Sequence, residues 1–259
     1  MTVQLSNLLI SPLEQFQVIP VIALKIGVLD FTITNVTVLL VLLAFLVFIF
    51  ANLLKSKDGT LKMIPNAWQS MLESIFTMIL SLVVSNIQNK KAQKYFPIIF
   101  TVFLGILLIN LVGLVPYSFT LTSHLMVTFA ISFGLFVGIN IICARKHGIK
   151  MFSLFLPPQT SIGLAFLLVP IELISYIFKP ISLSIRLFAN MMAGHTLLKV
   201  IAGFAYTLAT AGGLLFIIHF VPLFILVPLF CLELGVVLIQ SFVFSVLISI
   251  YLNDALNLH

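Results

Sequence analysis

The chain has 259 residues, of which 61% are hydrophobic and 8% are charged, and its mean hydropathy is +1.26. Soluble globular domains do not have this composition, and a membrane β-barrel would show short alternating segments instead of continuous apolar runs. The net charge of +6 comes from basic residues that are not clustered with aromatics on a polar surface, so the expected surroundings are a lipid bilayer and not nucleic acid.

The N-terminal segment, residues 1–30, contains neither a cleavable secretory signal nor an Arg- and Ser-rich transit segment. We therefore expect direct insertion, or synthesis in the compartment where the chain works. Residues 31–54 form the first predicted span, closed by Lys55 and Lys57. Residues 64–88 mix polar side chains such as Trp68 and Glu73 with apolar ones, which is typical of an amphipathic helix at the membrane interface.

Residues 95–144 predict a tight helical hairpin, with spans at 95–115 and 123–144 joined by a short uncharged linker. Residues 162–252 hold two long apolar segments, parted by Gly212 and Gly213 and interrupted by prolines. Each is longer than the roughly 20 residues that a perpendicular span needs, which predicts strong tilt. The sequence therefore predicts one all-α polytopic membrane domain, 1–259, with about five transmembrane helices, one interfacial helix and a long tilted hairpin.

The basic residues predict the orientation. They all fall on one side of the membrane if 64–88 does not cross it. This supports five spans, with the C-terminus on the basic side. The residues are Lys55, Lys57, Lys62, Lys90, Lys91, Lys94, Arg145, Lys146 and Lys150. No internal repeat is evident, which argues against an inverted-repeat transporter.

Arg186 is the most informative residue, because it is a permanently charged group in a stretch apolar enough for the bilayer. A charge at that depth costs at least about 2.5–3.5 kcal/mol and by default indicates a functional site. Arg186 shares a helix face with Asn190, whereas His195, nine residues on, lies about half a revolution away at ~100° per residue. An arginine can attract a carboxylate or repel a proton, but it cannot carry one.

The other buried polar groups include Glu, His and Asp residues, the usual members of proton relays in membranes. Each has a structural alternative. Arg186 could pair with Glu233, Glu172 could neutralise Lys179, and His195 could be a packing histidine, while Lys179 by itself is typical of a snorkelling residue. The two cysteines, Cys143 and Cys231, have no metal-ligand spacing, and no metal or cofactor is expected.

The string at 181–195, ISLSIRLFANMMAGH, resembles the signature of subunit a of F-type ATP synthase. The resemblance covers nearly the whole chain and is carried further by 170–176, by Leu-Glu-Leu at 232–234, and by Tyr-Leu-Asn-Asp at 251–254. The opening Ser-Pro-Leu-Glu-Gln-Phe at 11–16, and the pairing of His195 with Glu233, resemble mitochondrial members in particular.

The resemblance implies a stator subunit, non-catalytic by itself, that passes protons with a ring of c subunits and contacts peripheral-stalk and other Fo membrane subunits. It implies that Arg186 faces the c-ring carboxylates, where a fixed positive charge favours proton release and bars a direct proton hop between two paths. One half-channel, towards the intermembrane space, would be lined by Asn190, His195, Glu233 and Gln240. The other, towards the matrix, would involve Glu172, Asp254 and Ser175.

The implied location is the mitochondrial inner membrane, with the C-terminus on the matrix side, and the missing transit segment favours an organelle-encoded chain. A self-contained secondary proton or cation transporter is the alternative, and a purely structural scaffold is a third. A transporter would be active as an isolated chain, whereas a stator subunit would co-purify with a c ring. A scaffold would not need ionisable groups at membrane depth.

Overall fold

The computed structural model of the chain describes residues 16–23, 25–26, 29–53, 65–87, 92–115, 118–148, 162–213 and 215–256. Several features of the sequence lie outside these residues: the opening segment through residue 15, the loop with Pro157 and Pro158, and most of the basic residues used for orientation, namely Lys55, Lys57, Lys62, Lys90, Lys91 and Lys150. The orientation therefore stays a prediction.

Two short antiparallel ribbons precede the first helix. Strand β1 (Pro20–Ile22) pairs with β4 (Ile33–Thr34), and β2 (Lys25–Ile26) pairs with β3 (Leu29–Asp30). The side chain of Asn35 joins the outer ribbon to the first helix: its Oδ1 accepts from the backbone N–H groups of Ile19 and Val36, and its Nδ2 donates to the carbonyl of Gln17. The sequence did not predict these strands, because two or three residues are too few to show an alternating pattern.

Four helices follow at the predicted positions. They are α1 (Asn35–Leu53), α2 (Ala67–Asn86), α3 (Ala92–Gly113) and α4 (Leu125–His147), with a 3₁₀ turn at Leu121–Ser123 before α4. The basic last turn of α4 complements the negative end of its helix dipole.

The last part of the chain forms the two longest helices. Helix α5 (Ile162–Ala211) has 50 residues, the short α6 spans Leu215–Ile218, and α7 (Phe220–Leu256) has 37 residues. The prolines at 170 and 180 lie inside α5 and that at 228 inside α7, so the helices continue through prolines expected to interrupt them. The chain breaks instead at Gly212 and Gly213, whose φ angles of 70° and 61° favour glycine.

Within the described residues, five helical segments are long and apolar enough to cross a membrane. They are Ala67–Asn86, Gln93–Gly113, Leu125–His147, Phe166–Ala211 and Phe216–Leu256. The predicted fold class, an all-α multi-pass membrane protein, is confirmed. The set of five includes α2, while the apolar part of α1, Asn35–Ile49, counts as a shorter helix. The interfacial position of α2 and the crossing by α1 therefore stay predictions.

The chain divides into two compact units. The first unit comprises Met1–Thr60, Leu107–His124 and Phe188–Ile239, and the second comprises Leu61–Ile106, Leu125–Leu187 and Gln240–His259. In the second unit small polar side chains join the helices, as is common in membrane bundles. Asn86 donates to Ser249 Oγ at 2.8 Å, and the hydroxyls of Thr128 and Ser184 lie 3.2 Å apart.

The end of α7 is bound to the end of α4 within the second unit. The Lys146 side chain donates to the carbonyl oxygen of Leu256, and His147 Nε2 lies 3.2 Å from the same oxygen. This carbonyl is in the last turn of α7, where backbone acceptors have no partner within the helix. The two basic side chains therefore cap α7 and fix its final turn.

Candidate functional site

Polar and ionisable side chains form a separate group in each unit. In the first unit, Gly194, His195 and Glu233 form what we call the histidine–glutamate site. In the second unit, Tyr176, Lys179, Tyr251 and Asp254 form the lysine–aspartate site.

The histidine–glutamate site brings two proton-exchanging groups together in a buried position. His195 Nε2 lies 3.6 Å from Glu233 Oε1, and the side chains are only 12% and 4% exposed. Neither this nitrogen nor either carboxylate oxygen forms a hydrogen bond with a described residue. Since a buried polar group is costly without a hydrogen-bond partner, the site suits groups that bind and release protons and water. Helix α5 supplies the histidine and α7 supplies the carboxylate.

Gly194 brings the Glu233 carboxylate against the backbone of α5. A Cβ atom at position 194 would lie 2.6 Å from Glu233 Oε1 and 3.0 Å from its Cδ, both closer than ordinary contact. The glycine therefore provides the space that the carboxylate occupies. Asn190, one helical turn earlier on α5, is half-buried in the same unit.

The lysine–aspartate site is built around the ammonium group of Lys179. This group lies 4.0 Å from Asp254 Oδ2, and 5.3 Å and 4.9 Å from the ring centroids of Tyr176 and Tyr251. A cation over aromatic faces gains attraction from the ring quadrupoles. Within the described part of the chain, the ion pair of Lys179 is therefore with Asp254, and not with Glu172 as one alternative held.

Tyr176 is held in place from two sides. Its hydroxyl donates to Asn140 Oδ1, and its ring lies 4.9 Å from that of Phe136, centroid to centroid. Both contacts are to α4, so this helix orients the ring on which Lys179 lies. Of the other residues predicted for this side, Glu172 is half-exposed and Ser175 is exposed.

Arg186 is exposed on the apolar helix α5 and forms no ion pair with any described residue. Gln240, also predicted as a site residue, is 5% exposed on α7. A guanidinium on an apolar surface needs a counter-charge, and among the described residues of the second unit Arg186 has no ion-pair partner.

Several residues that shape these sites were not predicted from the sequence. For Lys179 the sequence offers a snorkelling position or a pair with Glu172, and it gives no role in a site to Asn140, Gly194 or Tyr251. The sequence does place Glu172, Tyr176 and Lys179 on one stripe of a helix. A further signal was available on α7, where Tyr251 and Asp254 are three residues apart and share a helix face.

The described residues contain no group of three or more His, Cys, Asp or Glu side chains that could hold a metal ion. Cys143 is buried and Cys231 is exposed, and both are free thiols. Carboxylate and imidazole groups can bind and release protons, and this is the chemistry that the histidine–glutamate site offers.

Comparison with known proteins shows similarity over nearly the whole length. Residues 35–253 match the family described as ATP synthase A chain. The chain is 51% identical over 250 residues to ATP synthase subunit a of Pylaiella littoralis, covering 96% of this chain and 99% of that one. It is 46% identical over 251 residues to the same subunit of Marchantia polymorpha, with the same coverage. Identity to the Chondrus crispus subunit is 47% over 249 residues, covering 96% and 97%.

Proposed function

Because this chain belongs to the ATP synthase A chain family, we propose that it is the proton-translocating stator subunit of the Fo membrane sector. Its partners in this role are the ring of c subunits, the peripheral stalk and other Fo membrane subunits. It performs no catalysis alone. The location we propose is the mitochondrial inner membrane, with the C-terminus on the matrix side.

The observation that carries the proposal is the exposed Arg186 on an apolar helix without a described ion-pair partner in the chain. A carboxylate on each c subunit would supply the missing counter-charge. Opposite this arginine the carboxylate is favoured in its deprotonated form, so its proton leaves. Because guanidinium does not release its own proton, it also bars a proton from passing directly between two aqueous paths.

The histidine–glutamate site supports a role in the path from the intermembrane space, for which the sequence also predicts Asn190 and Gln240. The lysine–aspartate site supports a role in the path to the matrix, where Asp254 accompanies the predicted Glu172 and Ser175. Each proton that crosses a membrane potential of about 100 mV releases about 2.3 kcal/mol. Because the two paths are offset, the proton passes from one to the other on the rotating c ring, so that this free energy drives rotation.

The test replaces Arg186 by alanine in the complete ATP synthase and measures ATP-driven proton pumping in reconstituted vesicles. The chain has two arginines, so Arg145→Ala, at the end of α4, is the matched control. We expect Arg186→Ala to assemble with the c ring and lose coupled proton transport, and Arg145→Ala to keep it. Coupled transport at the parent rate in Arg186→Ala would refute the proposal. Transport by the isolated chain, without a c ring, would favour a secondary transporter.

A further inference from the structure

One face of α4 contacts both helices that carry the lysine–aspartate site. Four residues at spacings of four, three and four lie on one stripe of α4, namely Phe136, Asn140, Cys143 and His147. The first two of them contact Tyr176 on α5. Cys143 is 0% exposed, and His147 lies against the end of α7. All these residues belong to the second unit, so α4 touches α5 and α7 with the same face.

The contact with α7 is made to its backbone, in the last turn. The Lys146 side chain donates to the carbonyl oxygen of Leu256, and His147 Nε2 lies 3.2 Å from the same oxygen. A carbonyl in the last turn has no partner within its own helix, and helix ends readily fray. The apolar side chains around this turn are buried: Leu252 is 3%, Ala255 4% and Leu256 2% exposed. The end of α7 is therefore held by its backbone acceptor and by packing.

Asp254 is carried by this same turn, two residues before Leu256. Its side chain is 46% exposed, and its Oδ2 lies 4.0 Å from the ammonium group of Lys179. An ion pair that is so exposed contributes little to holding its two groups together. The place of the carboxylate is therefore set mainly by the backbone that carries it, and α4 binds that backbone.

We infer that Lys146 and His147 position Asp254 for proton transfer. By binding the Leu256 carbonyl, they keep the carboxylate beside Lys179. This role rests on the proposed function, in which Asp254 belongs to the path to the matrix. Neither basic side chain exchanges a proton in this role, because both act through the backbone of α7. Without them, the last turn of α7 frays and the carboxylate moves away from the lysine.

The test measures passive proton flux per assembled complex, with the complete ATP synthase in vesicles. Lys146→Met removes the donor and keeps a long side chain, whereas Lys146→Arg keeps a charged donor. Arg145→Met is the matched control, because this exposed neighbour loses the same charge. We expect Lys146→Met to lower the flux by about tenfold, since a misplacement of about 1 Å in a reacting group can cost about a hundredfold. Lys146→Arg should restore most of the flux, and Arg145→Met should conduct at the parent rate.

A second pair of variants separates the positioning of Asp254 from a general effect on the fold. Asp254→Asn should lower the flux by itself, and adding Lys146→Met to it should lower the flux by less than about a further twofold. An equal tenfold loss in both backgrounds would overturn the inference, because the lysine would then act independently of the carboxylate. If Lys146→Met does not assemble, His147→Leu decides in the same two backgrounds, since it removes only one of the two contacts with the Leu256 carbonyl.

Three results distinguish a failure of this role from a failure of the proposed function. Parent flux in Asp254→Asn would refute the place of Asp254 in the path to the matrix, and the positioning role with it. A loss in Asp254→Asn, together with parent flux when Lys146→Met and His147→Leu are combined, would overturn the positioning role alone. Coupled transport in Arg186→Ala would instead refute the proposed function, whatever the results at the end of α7.

Discussion

Replacing Gly194 by alanine moves one carboxylate and leaves the rest of the fold in place. The added Cβ would lie 2.6 Å from Glu233 Oε1, and ordinary contact begins at 3.4 Å, so the oxygen must retreat by about 0.8 Å. The atom that must move is the end of a flexible side chain, so the displacement itself costs little stability. Alanine in place of glycine within a helix also gains about 1 kcal/mol.

The displacement should lower the rate of proton transfer strongly. The distance from His195 Nε2 to Glu233 Oε1 is 3.6 Å, and a shift of the oxygen changes the distance to the imidazole and to bound water. A misplacement of about 1 Å in a reacting group can cost about a hundredfold in rate. We therefore expect Gly194→Ala to lower proton flux by about tenfold to a hundredfold, with assembly unchanged.

The assay is passive proton flux through the reconstituted complex, normalised to the amount of assembled subunit. Gly203→Ala is the matched control, since Gly203 lies on the same helix and a Cβ there would meet nothing within 4 Å. That variant should conduct at the parent rate. Parent flux in Gly194→Ala would refute the reasoning, because the carboxylate would then not work from its observed position. Failure of Gly194→Ala to assemble would also refute it.

Three further predictions follow from burial and charge. The Lys179 and Asp254 side chains are 26% and 46% exposed, so their ion pair should stabilise the subunit only weakly. A double-mutant cycle with Lys179→Met and Asp254→Asn, measured by thermal release of the subunit from the complex, should give a coupling energy below about 1 kcal/mol. A coupling energy of several kcal/mol would contradict this. The Phe244 ring is 0% exposed, so Phe244→Ala should destabilise the subunit by about 3–5 kcal/mol, as measured by thermal release from the complex. Phe242 is 37% exposed, and Phe242→Ala, the control, should destabilise it much less. Glu233→Gln keeps the shape but cannot exchange a proton, so flux should fall by about a hundredfold or more, and unchanged flux would exclude Glu233 from the path.

The helices could be predicted from the sequence because apolar runs and glycine breaks are strong local signals. The break at Gly212 and Gly213 is an example, since two adjacent residues with positive φ cannot continue a helix. The predicted boundaries were less accurate where polar residues extend a helix beyond its apolar run. Helix α3, for instance, begins at Ala92 although the predicted span began at residue 95. Helices α5 and α7 also accommodate prolines that were expected to interrupt them.

The candidate site residues could be selected from the sequence, but their contacts could not. Arg186 and Glu233 stand out because ionisable groups are rare in apolar helices. The partnership of Lys179 with Asp254 joins positions on two different helices, and no local pattern specifies which of several carboxylates a lysine meets. The need for glycine at position 194 likewise depends on a side chain from another helix, so it became visible only in the structure.

The end of α7 has a consequence for the genetics of this chain. Asp254 lies in the last turn of α7, and the Leu256 carbonyl is the atom that Lys146 and His147 bind. A premature stop codon after position 252 would remove both this carboxylate and the carbonyl that anchors α7. Late truncations of a reading frame are commonly tolerated at disordered ends. Here the codons for the last turn of α7, through Leu256, should be as intolerant of loss as those of the central helices.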